Sequence, residues 1–344
     1  MKAVIMREPG SLAGVRIEDI PGPRRGPNEI LVEVRAAALN HLDLWVIRGR
    51  DSDHRPDPHV LGADAAGVVL EADPGVEGVA VGSEVILNPG LSCGQCEFCR
   101  QGEQSLCVSY GILGLSRSGA FAQRIAVPAR NVHPKPTHLD FVQAAALPLD
   151  HLTAWRMLFT RGGLTAGQTV LIHGIGGGVA LAALQLAKLC GAMVVVTSSS
   201  DEKLRRACKQ FGADHAVNYR AGTDIGDEVR ALTGGRGVDL VIDSVGAATW
   251  PINEKAVRRG GTIVLCGVTG GAEARINLQK VYWNQFRVLG STMGSDEDFR
   301  RMLAAVTQNR LVPVVDSVLP LERAGEAFRR MEQNQQFGKI VVTP

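Results

Sequence analysis

The chain has 344 residues, 45% hydrophobic and 21% charged, and its 37 Lys+Arg against 35 Asp+Glu leave a net charge of +2. That length accommodates two domains with cores of their own, and the apolar content excludes a disordered chain. The near-neutral balance argues against a nucleic-acid binder, which carries a clustered basic excess. Glycine supplies 40 residues while aromatics are only 5%, so the core is expected to be aliphatic and the chain to turn often, as in α/β enzymes.

The first residues, Met1 to Pro9, hold three apolar residues between charges and then a proline, without the apolar run of a secretory signal. To about residue 130 the pattern is mostly β. Residues 30–36 alternate with period two, 67–72 and 84–87 follow, and Pro74-Gly75 and Val81-Gly82 punctuate them, which predicts an irregular barrel-like domain. The longest uncharged stretch, 162–187, is broken by Gly174, Gly176, Gly177 and Gly178, so it is expected to be a buried strand and a later helix rather than a membrane span.

From about residue 150 strands and helices alternate. Strands are predicted at 170–172, 193–197, 217–218, 238–243 and 262–267, and helices at 179–189 and from 201 to before Gly212. Near-continuous apolar strands between helices indicate a parallel sheet covered on both faces. Helices at 296–309 and 321–332 and a strand at 339–343 form a tail too short for a domain, expected to return to the first one.

Seven cysteines are present, four of them within residues 93–107 and Cys190, Cys208 and Cys266 scattered. This is no disulfide framework; it suggests a reduced, cytoplasmic protein with one metal site. Cys93, Cys96, Cys99 and Cys107 are spaced C-x2-C-x2-C-x7-C. Four thiolates can close a tetrahedral zinc site with no position left for water, hence a structural one. The opening also resembles an iron–sulfur run, but there the fourth Cys follows after three residues and precedes Pro, whereas here it follows after seven and precedes Val108.

His173-Gly174-Ile175-Gly176-Gly177-Gly178-Val179-Ala180 joins the strand to the helix. Backbone N–H groups at such a helix start hold a pyrophosphate, and the strand–turn–helix context is the one a dinucleotide site requires. The spacing departs from the strict fingerprint, with Gly174, Gly177 and Ala180 three apart. At the next strand end an NAD site places Asp or Glu for the ribose hydroxyls. Here stand Thr197, Ser198, Ser199 and Ser200, then Asp201, Glu202 and Lys203. The hydroxyls and Lys203 suit a 2′-phosphate, so NADP(H) is expected over NAD(H), although Ser-Ser-Ser-Asp-Glu also reads as an ordinary helix cap.

Together with Gly62-Ala63-Asp64-Ala65-Ala66-Gly67, Leu152-Thr153-Ala154-Trp155 and Gly338-Lys339-Ile340-Val341-Val342, these motifs resemble the medium-chain dehydrogenase/reductase superfamily of zinc alcohol dehydrogenases and quinone oxidoreductases over essentially the whole chain. The resemblance implies a GroES-like β domain split between residues 1–149 and 291–344, with its zinc lobe at 93–107. It also implies a Rossmann domain of doubly wound parallel sheet at 150–290, an active-site cleft between the two, and Gly267 at the cofactor. It further implies a homodimer or homotetramer formed through the Rossmann sheet edge near Val264 and Val288.

The departures fall at the catalytic zinc. Where the zinc enzymes carry Cys, His and Cys ligands, this chain has Asn40, Ala63 and Leu149, and only Asp64 stands in a matching place. An improvised site would have to draw on His41, Asp43, His59, Asp64, Asp150 or His151. Without a Lewis acid, oxidation of an alcohol is hard, whereas reduction of an activated C=C or C=O requires orientation, a hydrogen-bond donor and a proton source. Asn40 is expected to orient substrate carbonyl or nicotinamide ribose, His41 to contact phosphate or relay a proton, and Asp43 and Asp64 to hold the polar network. Equally, Asn40 to Asp43 reads as a helix-start cap, and Asp64 as a buried structural hydrogen bond. Trp45, Trp155 and Trp283 are candidates for a substrate pocket, or for core and interface. The expected function is NAD(P)H-dependent reduction of a small quinone, enone or enoyl compound. The alternatives are an alcohol dehydrogenase with an unconventional metal site and a non-catalytic nucleotide sensor, with neither nucleic acid nor membrane as a partner.

Overall fold

The computed structural model describes residues 1–49, 58–73, 78–220, 222 and 224–344. The Pro74-Gly75 turn therefore lies outside the described residues. The chain forms two compact units, Met1–Leu149 with Ser295–Pro344, and Asp150–Gly294.

The first unit is built on a seven-stranded sheet. Its order runs Val132–Pro134, Glu84–Leu87, Asp64–Glu71, Glu29–Ala38, Lys339–Thr343, Val315–Pro320, with Arg124–Pro128 also pairing Glu29–Ala38. Glu29–Ala38 follows the expected alternation only from Val32 to Arg35, where Glu33 and Arg35 face outward; Ile30, Leu31 and Val32 are buried in succession, and Ala36, Ala37 and Ala38 are all fully buried. A register shift between Val34 and Ala36 against Asp64–Glu71 sets Ala38 opposite Asp64. On its other side Ala38 pairs with Val341 of the returning strand. These two pairings bring Asn40, Asp64 and Lys339 to one end of the sheet. The core is aliphatic around a few rings, among them Phe121 and Phe328 in edge-to-face contact at 5.9 Å. The return begins with the helix Asp296–Gln308, whose cap is reciprocal: Ser295 Oγ accepts from Asp298 N at 3.1 Å and Asp298 Oδ2 from Ser295 N at 2.9 Å. The predicted 321–332 helix is a 3-10 turn, Leu321–Arg323, followed by the helix Ala324–Glu332.

The second unit holds a six-stranded sheet ordered His215–Asn218, Met193–Ser198, Thr169–Ile172, Val238–Asp243, Val257–Leu265, Arg287–Gly290, every pairing parallel. Thr169–Ile172 and Val238–Asp243 are buried at every position, as a sheet covered on both faces requires. After Thr169–Ile172 the chain moves to one side of that strand and then returns to build on the other. The crevice at the C-terminal ends of Thr169–Ile172 and Val238–Asp243 is therefore a topological switch point, where open α/β sheets bind ligands. The helix Asp201–Phe211 ends at Gly212 in the left-handed region, with φ of 72°. Among the described residues, no helix is long and apolar enough to cross a membrane.

Candidate active site and cysteine lobe

In the first unit a buried polar network stands where the sheet ends. Lys339 is 4% exposed and Asp64 fully buried. Lys339 Nζ donates to Asp64 Oδ2 at 3.1 Å and to Asn40 Oδ1 at 2.6 Å, and Asn40 Nδ2 donates to Asp64 Oδ2 at 3.0 Å. The other Asp64 oxygen accepts from Leu149 N at 2.9 Å. Asp43 accepts from Asn40 N at 2.7 Å and from Gly62 N at 3.1 Å. Gly62 has no alternative there: its φ is +99°, and a Cβ would stand 2.6 Å from the Phe121 ring. Burial pushes the Asp43 carboxyl up to about 7, against the pull of those two amides and of Lys339.

Residues 40–43 thus form a helix start and part of a buried polar network. Asn40 is the N-cap residue of the helix His41–Ile47, while its side chain faces Lys339 and Asp64. His41 is partly exposed at the first helical position. Lys339, which the sequence reading passed over as a site residue, supplies the cation of the network. Its signal was a lysine opening an otherwise apolar buried strand, Lys339–Thr343. The three positions that hold catalytic zinc in the zinc enzymes offer here an amide, a methyl and a leucine, and the remaining carboxylate is bonded to an ammonium. These residues do not make a catalytic-zinc donor set. His59, weighed for an improvised site, places Nε2 2.9 Å from Gly114 O.

In the second unit the glycine turn is built for close approach. Gly174 and Gly176 have φ of +72° and +109°, and Gly177 caps the helix Gly178–Leu189. The first N–H groups of that helix, at Gly178 and Val179, have no partner within it. A Cβ on Gly176 would meet the Lys203 side chain, 2.7 Å from Cδ and 3.3 Å from Nζ, so Lys203 lies over the turn. A Cβ on Gly178 would meet Asp150 Oδ2 at 1.6 Å, so a carboxylate is seated against this helix start, the end that favours negative charge. Asp201 accepts from Asn218 Nδ2 at 2.6 Å, which ties it to the neighbouring strand end. Ser198 is buried with Oγ accepting from Ser200 N at 3.2 Å, and Ser199 is partly exposed. Gly267 packs against Ser244, whose carbonyl would stand 2.7 Å from a Cβ.

Beneath the turn His173 locks the strand ends together. Its Nε2 donates to Asn253 Oδ1 at 2.8 Å, because Asn253 Nδ2 donates to Asp243 Oδ2 at 2.5 Å. Thr197 Oγ1 stands 2.9 Å from Nδ1, and burial holds the imidazole below its usual range and neutral. Sequence reasoning assigned His173 no role, because its partners are 24, 70 and 80 residues away. Of the three tryptophans, Trp283 is 66% exposed, Trp155 packs on Phe159 at 4.6 Å between rings, and Trp45 is partly buried.

The four lobe cysteines gather as their spacing predicted, with all sulfurs within 4.8 Å of one another. Cys93 Sγ and Cys99 Sγ are 3.9 Å apart, close to the roughly 3.8 Å that tetrahedral Zn–S bonds of about 2.3 Å imply. Backbone N–H groups point at the sulfurs: Cys96 N to Cys93 Sγ and Cys93 N to Cys107 Sγ, each at 3.3 Å. Burial opposes ionisation of Cys107, but Cys93 N–H and Ser109 outweigh it and bring the thiol down to about 6. Such donors stabilise thiolate ligands, so this donor set fits zinc. All seven cysteines are free of disulfides.

Two family models match the chain: the alcohol dehydrogenase GroES-like domain over residues 26–137 and the zinc-binding dehydrogenase over 178–308. An NAD-dependent alcohol dehydrogenase of Sulfurisphaera tokodaii is 30% identical over 96% of each chain. An acryloyl-coenzyme A reductase of the same organism is 28% identical over the full length of both. A solved structure described as an NAD-dependent alcohol dehydrogenase is 47% identical and superposes over both whole chains with a TM-score of 0.95. The chain belongs to the medium-chain dehydrogenase/reductase superfamily, with a GroES-like and a Rossmann-type domain. It is an NAD(P)-dependent oxidoreductase of the zinc-type alcohol dehydrogenase group, with a four-cysteine metal-binding lobe. Both alcohol dehydrogenase relatives are named for NAD, so the expected preference for NADP(H) finds no support among them.

Proposed function

We propose that this protein reduces an activated C=C or C=O bond of a small carbonyl compound, of enone, quinone or enoyl type, with NADPH and without a catalytic zinc. The observation that carries the reading is the Lys339 ammonium bonded to Asn40 and Asp64, with Ala63 and Leu149 in the remaining ligand positions. A reduced nicotinamide supplies the hydride when bound. Gly174, Gly176, Gly177, Gly178 and Val179 hold its pyrophosphate, and Gly267 gives its nicotinamide end room. Lys203, with Ser198 and Ser199, would meet the 2′-phosphate, while Asp201 is engaged by Asn218. Asn40 orients the substrate carbonyl or nicotinamide ribose, and His41 relays the proton that accompanies the hydride. Asp43 and Asp64 keep Asn40 and the segment at Gly62 in place. Cys93, Cys96, Cys99 and Cys107 hold one structural zinc.

A panel of enones, quinones, enoyl thioesters, aldehydes and alcohols, assayed with NADPH and NADH alongside zinc analysis, tests this. Reduction of enones or quinones at one zinc per chain supports it, whereas alcohol oxidation at two zincs per chain overturns it. The alcohol dehydrogenase names of two relatives favour that second reading. We also propose a homo-oligomer closed through the strand Arg287–Gly290, which carries Val288 and has a sheet neighbour on one side only among the described residues. Leu278, Tyr282 and Trp283, all at least 64% exposed, lie just before it, while Val264 is one strand inward and buried.

A further inference from the structure

The foot of the parallel sheet in the second unit, at the opposite ends of the strands from the glycine turn, carries a cavity of about 400 Å³. Its charged lining is Arg161, Arg258, Arg287 and Asp239, joined by Thr160 and Thr262, with no aliphatic or aromatic side chain. Three guanidiniums against one carboxylate leave an excess of two positive charges. Asp239 is itself already shared: it accepts from Arg258 Nε at 2.6 Å and from Arg236 Nη2 at 2.7 Å, and its other oxygen takes Thr169 N at 2.9 Å. Burial raises the cost of that charge, yet the two arginines and the amide hold its carboxyl well below the usual range. Arg161 and Arg287 have no carboxylate partner among the described residues. Arg161 Nε donates to Gly290 O at 3.0 Å, and Arg287 gives Nε and Nη2 to the one oxygen of Thr262, at 3.1 and 2.8 Å. The cavity also borders a π-helical turn, Arg156–Arg161, of the kind that recurs at functional sites.

Guanidiniums gathered with too few counter-charges repel one another, and their planar forks match the oxygens of phosphate. We infer that this cleft binds a phosphate dianion, free or as the terminal group of a small monoester, at a site separate from the cofactor's. Two negative charges match the excess, and the polar lining suits an ion rather than an apolar ligand.

The test is isothermal titration of inorganic phosphate into the full-length protein saturated with nicotinamide cofactor, against chloride at equal ionic strength. Saturable binding of one phosphate per chain, weakened about tenfold or more in Arg161→Gln and in Arg287→Gln, is expected. Arg287→Lys, which keeps the charge but not the fork, falls between Arg287→Gln and the parent. Glycerol 3-phosphate titrated alongside separates the sources: tighter binding of the ester indicates an organic ligand, equal binding the free ion. Absence of saturable phosphate binding in the unmodified protein, or undiminished binding in folded Arg161→Gln and Arg287→Gln, overturns the inference.

Discussion

Lys339 Nζ lies 3.1 Å from Asp64 Oδ2, an ion pair in which both partners are buried and which spans 275 residues of sequence. Its shared hydrogen-bond partner is Asn40, so cation, anion and amide form one unit. Removing one member of a buried pair leaves a charge uncompensated and costs about 3–5 kcal/mol. Lys339→Met is therefore expected to lower unfolding stability by an amount in that range, read as a shift of the urea midpoint. Lys339→Met with Asp64→Leu should recover most of it, because the stranded carboxylate is gone. Equal loss in the single and double variants would show that packing, not charge, is at stake.

The cysteine lobe predicts a separable stability effect. Zinc binding to four thiolates contributes folding free energy. Cys107→Ser should reduce bound zinc from about one per chain to near none, measured by atomic emission. It should also lower the melting temperature and make residues 93–107 susceptible to proteolysis. Retention of one zinc per chain in Cys107→Ser would place the metal elsewhere.

The legible parts of the sequence were those encoded locally. The cysteine spacing, the glycine turn and the all-apolar strands carry their pattern within a few residues. Ile225–Leu232 and Trp250–Ala256 leave no such pattern, being short helices of eight and seven residues with no long periodic run. Val315–Pro320 lies only partly buried at an edge and shows no clean alternation. The candidate site was legible where the motifs depart from the zinc enzymes, at Asn40, Ala63 and Leu149. It was illegible where the answer depended on pairing register: Lys339 meets Asn40 only because Val341 pairs with Ala38. A strand-end lysine alone does not announce its partners.

The proposed preference for NADPH rests on Lys203, whose ammonium lies by Gly176. Lys203→Glu replaces a cation with a carboxylate and should lower kcat/KM for NADPH by roughly 10–100-fold relative to NADH, the scale of losing a charge-assisted hydrogen bond. Steady-state kinetics with both nucleotides give the ratio. A parent enzyme that prefers NADH, or a ratio unmoved by Lys203→Glu, would refute the assignment to the 2′-phosphate.

Asp43 makes the stability of the first unit depend on pH in a direction opposite to that of an ordinary ion-paired carboxylate. Burial raises its folded pKa to about 7 from the 3.8 of an ordinary aspartate. Between those values the folded protein keeps a proton that the unfolded chain releases, so the contribution is fully present below about pH 4 and is lost as pH rises through 7. Asp43→Asn cannot titrate and misplaces one acceptor, since Asn40 N and Gly62 N both require an oxygen. At pH 4.5 the variant should be less stable than the parent by about 1–3 kcal/mol, the cost of a buried donor left unmet. That gap should narrow steadily toward pH 8, because the parent alone bears the growing cost of a buried charge. Urea unfolding of both proteins across that range isolates the effect, since every other titrating group is common to the two. A gap that stays constant across that range would mean that the two amides and Lys339 outweigh burial and that Asp43 is an anion throughout.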